Sequence, residues 1–259
     1  MALLEIKDLT KDFGGLRALD KVSFYVNEGE IVGLIGPNGA GKTTLFNLIT
    51  GFYSITGGNI VSQGKDITGF RPDEVARMGI VRTFQATTLL AEMSVLTNVI
   101  LGCHLHTKIG FWGALLNTKY TRKREGELRI QAMDILDFLG IAEMSSELAG
   151  NLSHGHQRVL QIAVALAANP VLVLLDEAFS GMSSVETNLM MGHIEAVRNR
   201  GATILLVEHN MKVVIGLCNR IVVLDHGMKL VEGIPQEVTQ DKRVIEAYLG
   251  TEEEDENFD

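Results

Sequence analysis

Residues 36–43 have the sequence GPNGAGKT, which fits the phosphate-binding pattern G-x-x-x-x-G-K-[ST]. The apolar run Ile31–Ile35 precedes this stretch and predicts a buried strand, while a helix is predicted from Lys42 and Gly51 is placed to end it. Glycines let the backbone curl so that successive N–H groups point at phosphate oxygens, and a helix N-terminus adds partial positive charge. The stretch therefore predicts a P-loop that binds a nucleotide.

ATP and Mg²⁺ are the ligands expected at this loop. Lys42 is expected to reach the β- and γ-phosphates, which places it among the catalytic residues, and the Thr43 hydroxyl is expected to ligate Mg²⁺. The residues of the loop expected to contact the nucleotide are Gly36, Pro37, Asn38, Gly39, Ala40, Gly41, Lys42, Thr43 and Thr44.

A second buried strand is predicted at residues 171–175, and it ends in Asp176 and Glu177. A strand end that faces a P-loop is where one acid can hold Mg²⁺ through water while a second acid activates the attacking water. We assign the first role to Asp176 and the second, catalytic role to Glu177. Two acids after an apolar run are weak evidence alone, and they become specific downstream of a P-loop.

The remaining apolar runs predict an α/β fold. Alternating apolar residues predict antiparallel strands near the N-terminus: Leu4, Ile6, Val22, Phe24 and Val26. Continuous apolar runs at Thr203–Val207 and 221–224, each after a helical pattern, predict strands of a parallel sheet covered on both faces. His226 and Gly227 between two strand patterns predict a tight hairpin turn.

Residues of about 86–165 lack strand patterns and predict a helical subdomain inserted into this core. Ser94 is expected to cap a helix that carries Val95, Val99 and Leu101. A second apolar stripe is expected on one helix face, formed by Ile130, Met133, Leu136 and Leu139. We therefore expect one domain at residues 1–250, with its core at 1–85 and 166–250, and an acidic, disordered tail at 251–259.

Charge and composition exclude several classes of function. The net charge is −9, and six of the carboxylates lie in the tail at residues 251–259. This balance argues against a nucleic-acid groove, so no nucleic-acid partner is expected. The longest apolar stretch, residues 159–175, is interrupted by polar residues and is too short to span a bilayer, so any role at a membrane is expected to depend on a partner.

The chain resembles the ATP-binding cassette (ABC) family at residues 152–158, LSHGHQR, where that family's signature reads LSGGQ. Four further family motifs follow the same order along the chain. Phe13 corresponds to the aromatic residue that stacks on adenine, Gln85 to the Q-loop, residues 180–183 to the D-loop and His209 to the switch histidine. The resemblance implies an ATP hydrolase with a P-loop NTPase (RecA-like) core, an N-terminal antiparallel β subdomain and an inserted α-helical subdomain.

The family resemblance also implies roles for individual residues. Gln85 is expected to contact Mg²⁺ and the attacking water, and His209 the γ-phosphate. Ser153 and the backbone around Gly155 are expected to cap the ATP held by a second ABC ATPase subunit, in a dimer that encloses two nucleotides. His154 and His156 replace a glycine and a glutamine of the signature, and Ala178 replaces a proline after the catalytic glutamate. These departures put the rate and the coupling between subunits in doubt.

The nearest resemblance is to the ATPases of branched-chain amino acid importers. It rests on residues 11–15, 82–85, 207–214 and 247–250, and on a long segment at 109–124 that includes Phe111, Trp112, Leu115 and Leu116. It implies membrane permease subunits as partners, a periplasmic or extracellular binding protein as an indirect partner, and a cytoplasmic location on the inner face of the plasma membrane. We expect Leu89, Leu90 and Met93 to contact the permease, with core packing as the equal alternative for each.

The sequence also fits several related functions. A urea importer and a lipopolysaccharide exporter use related ATPases, so each is an alternative. A non-transport ABC ATPase is a further alternative. Such proteins typically carry two cassettes, a coiled coil or basic extensions, and this sequence shows none of these features. The working dimer could pair this chain with itself or with a second, similar ATPase.

Overall fold

The computed structural model describes residues 1–83, 89–103 and 119–255. The strands are β1 Ala2–Phe13, β2 Leu16–Asn27, β3 Ile31–Ile35, β4 Gly57–Ser62, β5 Lys65–Asp66, β6 Ile80–Thr83, β7 Leu172–Asp176, β8 Thr203–Val207, β9 Arg220–Asp225 and β10 Met228–Gly233. The helices are α1 Lys42–Ile49, α2 Pro72–Arg77, α3 Val95–Cys103, α4 Lys119–Phe138, α5 His154–Ala167, α6 Ser184–Asn199, α7 Met211–Leu217, α8 Pro235–Val238 and α9 Lys242–Asp255.

The chain divides into two compact units. The first contains Met1–Arg82, Val171–Ser180 and Ile194–Asp259, and the second contains Thr83–Pro170 and Gly181–His193. The bounds of the core and of the helical subdomain expected from the sequence remain predictions.

An antiparallel sheet in the order β2-β1-β4-β5 begins the first unit. Leu4 pairs with Val26 and Ile6 pairs with Phe24 across β1 and β2, and these side chains are buried. Alternation places every second side chain of a strand on one face. The sheet therefore turns this apolar face inward, and the expected N-terminal antiparallel sheet is confirmed.

A six-stranded sheet in the order β10-β9-β3-β8-β7-β6 forms the rest of the first unit's framework. β3 runs parallel to β8 and β9, and β7 runs parallel to β8. β3, β7 and β8 are buried along their whole length. Since the carboxyl ends of parallel strands meet at one edge of a sheet, the loops after β3, β7 and β8 lie together.

The predicted hairpin turn lies between β9 and β10. Asp225 pairs with Met228, and the two residues between them, His226 and Gly227, have φ of 45° and 77°. Positive φ at both central positions is the type I′ geometry whose twist matches that of the flanking strands. The turn is therefore as the sequence predicts.

Helices α3, α4 and α5 pack together in the second unit. Ser94 caps α3 as predicted, because its Oγ accepts the N–H of Thr97 at 3.1 Å. The expected apolar stripes are partly wrong, since Leu101 and Ile130 are exposed. Leu136 of the predicted stripe is buried on α4, together with Leu128, Ala132 and Ile135, and the predicted Leu139 is buried just beyond the end of the helix. Ile130 lies two residues from Leu128, which at 3.6 residues per turn is the opposite face of the helix.

Some sequence predictions lie outside the described residues. Gln85 is one of them, and so are Phe111, Trp112, Leu115 and Leu116 of the long segment.

Helix α9 continues to Asp255, so residues 251–255 are helical where the sequence indicates a disordered tail. Glutamate, which forms much of this stretch, is a good helix former. Among the described residues, no helix is long and apolar enough to cross a membrane.

Candidate nucleotide-binding site

The loops at the carboxyl edge of the parallel strands enclose a cavity of about 500 Å³ in the first unit. Most of the residues that the sequence assigns to the nucleotide line this cavity. The lining is formed by Phe13, Leu16, Arg17, Ala18, Asn38, Gly39, Ala40, Gly41, Lys42, Thr43, Thr44, Glu177, His209, His226 and Gly227. Gly36 and Pro37 are buried behind the exposed part of the P-loop.

Gly36 makes the turn from β3 into the P-loop. Its φ is +148°, and a Cβ at this position would lie 2.0 Å from the carbonyl oxygen of Leu224. A side chain is therefore excluded by space as well as by backbone conformation. The loop can approach β9 this closely only with glycine here.

Lys42 lies at the start of α1 with its ammonium group inside the loop. Its Nζ donates to the carbonyl oxygens of Gly36 at 2.7 Å and Pro37 at 2.8 Å. Burial lowers the pKa of Lys42 below its ordinary value, although Glu177 and Asp176 act in the opposite direction. A phosphate in the cavity would add negative charge beside this cation and favour its protonated form.

Asp176 is the last residue of β7, and it forms a buried ion pair. The Nη2 of Arg82 lies 2.6 Å from its Oδ2, and the two side chains are 7% and 3% exposed. The Nη1 of the same guanidinium donates to Oδ1 of Asn47 at 2.6 Å, and the group lies over the ring of Phe46. Arg82 therefore orients Asp176 and balances its charge.

Glu177 follows Asp176 and pairs with His209. The Nε2 of His209 lies 2.9 Å from Oε1 of Glu177, so the imidazole can donate to the carboxylate from that nitrogen. Glu177 has φ of +49°, a left-handed conformation that is uncommon outside glycine, and its N–H donates to the carbonyl of Val207 at 3.0 Å. Strained backbone of this kind clusters at functional sites.

Glu208 ties together the two loops that carry Glu177 and His209. Its buried carboxylate accepts the N–H of Phe179 at 2.9 Å and the N–H of His209 at 3.2 Å. Burial raises the pKa of Glu208 above its ordinary value, while the backbone N–H groups act against that shift. The spacing of the Glu177–His209 pair therefore depends on this carboxylate.

Phe13 lies at the mouth of the cavity, at the end of β1. Phe13 is 41% exposed, and its ring makes a T-shaped contact with the ring of Tyr53, with 5.3 Å between the ring centroids. The Nζ of Lys11 lies 4.7 Å from the same ring centroid. A ring that is partly open to solvent can offer a face to a flat ligand.

The signature residues Ser153 and Gly155 lie in the second unit, at the start of α5. Ser153 is exposed, and its Oγ accepts the N–H of His156 at 3.3 Å and lies 3.0 Å from Nδ1 of the same residue. A Cβ on Gly155 would lie 2.8 Å from Oε1 of Glu186. Hydrogen bonds from Ser183 lower the pKa of Glu186 and, with smaller contributions from His154 and His156, keep this carboxylate charged beside the signature.

Comparison with known proteins identifies the family. Residues 19–180 match the family described as ABC transporter. The chain belongs to the ABC transporter family. It is 42% identical over 249 residues to the high-affinity branched-chain amino acid transport ATP-binding protein LivG of Salmonella typhimurium, and the match covers 96% of this chain and 98% of that protein. BraF of Pseudomonas aeruginosa, with the same description, is 39% identical over 249 residues with the same shares covered.

A solved structure agrees with this assignment. A crystal structure of an ATP-binding cassette of an ABC transporter in its ADP conformation matches with a TM-score of 0.86 and 35% identity, covering 96% of this chain and 99% of that one. Residues 228–254 also match a family described as branched-chain amino acid ATP-binding cassette transporter. This chain is therefore the ATP-binding subunit and ATPase of an ABC transporter.

The site of this ABC ATPase fits Mg²⁺ that is bound mainly through phosphate. Thr43 offers an exposed hydroxyl beside the cavity, whereas one oxygen of Asp176 is taken by Arg82. Among the described residues, no three of the side chains His, Cys, Asp and Glu are grouped to hold a metal ion. Mg²⁺ keeps most of its water and uses substrate phosphates, so one hydroxyl and one water-linked carboxylate are an adequate protein contribution.

Three residues of this ABC ATPase carry contacts that sequence reasoning does not assign. Arg82 belongs to residues 82–85, one of the stretches that carry the family resemblance, but its neighbours in sequence do not indicate a pairing with Asp176. Glu208 directly follows the apolar strand β8, and this position beside an apolar run is the only sign of it in the sequence. Tyr248 lies in the quoted stretch near the C-terminus and contacts Gly36 from the other end of the chain.

Proposed function

We propose that this ABC ATPase powers the import of branched-chain amino acids. The observation that carries the substrate class is the match of residues 228–254 to the branched-chain amino acid ATP-binding cassette transporters, together with the names of the full-length relatives. The P-loop cavity accounts for ATP hydrolysis. That reaction does not depend on which molecule is transported. The substrate itself is selected by partner subunits.

The P-loop holds the triphosphate of ATP. Its backbone N–H groups and the N-terminus of α1 bind phosphate oxygens, and Lys42 leaves its two loop carbonyls to contact the β- and γ-phosphates. Phe13 stacks on the adenine. Thr43, and Asp176 through water, would hold Mg²⁺, which would supply positive charge beside the phosphates.

Glu177 acts as the general base for hydrolysis. It takes a proton from water as the water oxygen bonds to the γ-phosphorus, and the bond from that phosphorus to the β-phosphate oxygen breaks to release ADP. His209 holds Glu177 through the 2.9 Å contact and faces the γ-phosphate with its ring. Gln85 keeps the role expected from the family resemblance, as a contact of Mg²⁺ and the attacking water.

Ser153 and Gly155 act on the ATP of a second subunit. They lie at the N-terminus of α5, where backbone N–H groups and a hydroxyl favour a γ-phosphate. Two copies of this arrangement form a two-fold dimer around two nucleotides. The second subunit is either another copy of this chain or a similar ATPase.

The dimer attaches to permease subunits of the membrane and lies on the cytoplasmic face. A periplasmic or extracellular binding protein delivers the amino acid to the permease from the other side. Leu90 and Met93 contribute to the permease contact, because their apolar side chains are 48% and 46% exposed. Leu89 is buried and belongs to the packing of the second unit.

Replacing Glu177 with Gln tests the hydrolytic mechanism. The change removes the base and keeps the shape, so kcat should fall by about 100-fold or more while the affinity for MgATP stays within about threefold. ATPase assays and equilibrium nucleotide binding measure the two quantities. Glu28→Gln, an exposed acid outside the cavity, is the matched control and should behave as the wild type. Turnover by Glu177→Gln at the control rate would reject the role of Glu177.

Uptake in the source cells tests the substrate class. Deleting the gene should abolish high-affinity uptake of radiolabelled leucine, isoleucine and valine, and the wild-type chain should restore it. The Glu177→Gln variant should not restore it. Loss of urea uptake with normal leucine uptake would instead identify a urea importer.

A further inference from the structure

Helix α9 reaches the P-loop through Tyr248. The hydroxyl of Tyr248 accepts the backbone N–H of Gly36 at 2.9 Å, across 212 residues of sequence. Both residues lie in the first unit. This is a direct polar contact between the last helix of the chain and the first residue of the phosphate-binding loop.

The contact is made at a point where the backbone has little freedom. Gly36 is buried, has φ of +148° and lies against the carbonyl of Leu224. Its own carbonyl accepts the ammonium group of Lys42 at 2.7 Å. The peptide group before Gly36 is therefore held by Tyr248, and the peptide group after it is held by Lys42 until the ammonium group moves to the phosphates.

A buried backbone N–H that loses its acceptor costs free energy, so this hydrogen bond affects the loop conformation. The hydroxyl of a tyrosine is neutral at physiological pH, and burial raises the pKa of Tyr248 still further above its ordinary value. The phenol is therefore a constant acceptor for Gly36.

A cavity beside this hydrogen bond lies between the P-loop and α9. The cavity, of about 590 Å³, is lined on one side by P-loop residues and on the other by residues of α9. Its lining includes Pro37, Asn38, Gly39, Arg243, Glu246 and Ala247. This cavity lies between those α9 residues and the P-loop, and the hydroxyl of Tyr248 makes a direct hydrogen bond from the helix to Gly36.

We propose that Tyr248 is a positioning residue for ATP binding, which acts through Gly36 to hold the P-loop in its nucleotide-binding conformation. The inference rests on the proposed role of the P-loop in binding ATP. Linkage is reciprocal, so ATP in the loop should in turn hold α9 in place. The C-terminal segment that matches the branched-chain transporters, residues 228–254, then has a function at the nucleotide site.

Replacing Tyr248 with Phe tests this proposal, because it removes one oxygen and keeps the ring. One lost hydrogen bond predicts that the Kd and the KM for MgATP rise by about fivefold, while kcat stays within about twofold. Amide exchange at the start of the P-loop should become faster in Tyr248→Phe. In the wild type, MgATP should slow amide exchange in α9. Tyr25→Phe, which removes a hydroxyl from a strand outside the cavity, is the matched control.

The outcomes separate this proposal from the function on which it rests. If Tyr248→Phe binds MgATP as tightly as Tyr25→Phe, or if it loses kcat and unfolding free energy without a change in KM, the positioning role is refuted. Lys42→Ala serves as the test of the P-loop itself and should abolish stabilisation by MgATP. Equal stabilisation of Lys42→Ala and wild type would reject the proposed binding mode, whatever Tyr248→Phe does.

Discussion

Removing Arg82 should destabilise the protein more than any exposed arginine does. The guanidinium of Arg82 lies 2.6 Å from Asp176, and both side chains are almost fully buried. Arg82→Met keeps much of the volume and leaves the Asp176 carboxylate buried without its cation. Breaking a buried pair from one side costs about 3–5 kcal/mol, since an uncompensated charge stays in the interior.

The expected size follows from these contacts. The hydrogen bond from Arg82 to Asn47 is lost as well, which adds about 1 kcal/mol. A chain of this size loses about 2–4 °C in Tm per kcal/mol, so the Tm should fall by roughly 8–24 °C. Urea unfolding of the nucleotide-free chain at pH 7.5 measures the free energy of unfolding, and calorimetry measures the Tm.

A control and a double variant isolate the pair. Arg77→Met removes an arginine whose side chain is 65% exposed, and its unfolding midpoint should match that of the wild type. Adding Asp176→Asn to Arg82→Met removes the unpaired charge, so the double variant should recover part of the lost stability. The reasoning is wrong if Arg82→Met loses less than about 1 kcal/mol, or if the two changes are additive.

Two further predictions concern the buried glutamate and the permease surface. Because burial raises the pKa of Glu208, this carboxyl group ionises at a lower pH in the unfolded chain than in the folded one. The stability that it contributes is present below about pH 4.5 and is lost as the pH rises through the pKa of the folded state. The difference in urea midpoint between wild type and Glu208→Gln should therefore change from pH 4.5 to 7.5, and a constant difference would contradict the burial argument. Leu90→Glu and Met93→Glu should abolish uptake by the assembled transporter and keep the ATPase activity of the isolated chain. Ile130→Glu changes another exposed apolar residue of the second unit and should keep both activities. Normal uptake by both variants would place the permease contact elsewhere.

Local sequence rules are sufficient for the elements that carry ATP chemistry. The glycine pattern before Lys42 and the two-residue turn at His226 each depend on backbone conformation within a few residues. Their physical requirements are local, so the printed sequence predicts them. The continuous apolar runs similarly predict the parallel strands, because a strand that is buried on both faces excludes polar side chains.

The helix faces of the second unit show where such rules weaken. Ile130 and Leu128 are both apolar and lie close in sequence, yet only Leu128 is buried. When apolar residues are frequent, helical periodicity alone allows either the face with Leu128 or the face with Ile130 to point inward. Packing of α4 against α3 decides between them, and that depends on side chains far along the chain.

The sequence by itself determined the P-loop, the acid pair and the family motifs, whereas only the tertiary structure decided how these groups are held. Arg82 meets Asp176 across 94 residues and Tyr248 meets Gly36 across 212 residues. No periodicity or spacing specifies which distant partners will meet. They meet because burial of the apolar strands places β3, β8 and β7 side by side in that order in the sheet. The side chains near that edge of the sheet then pair, which satisfies buried charges and N–H groups.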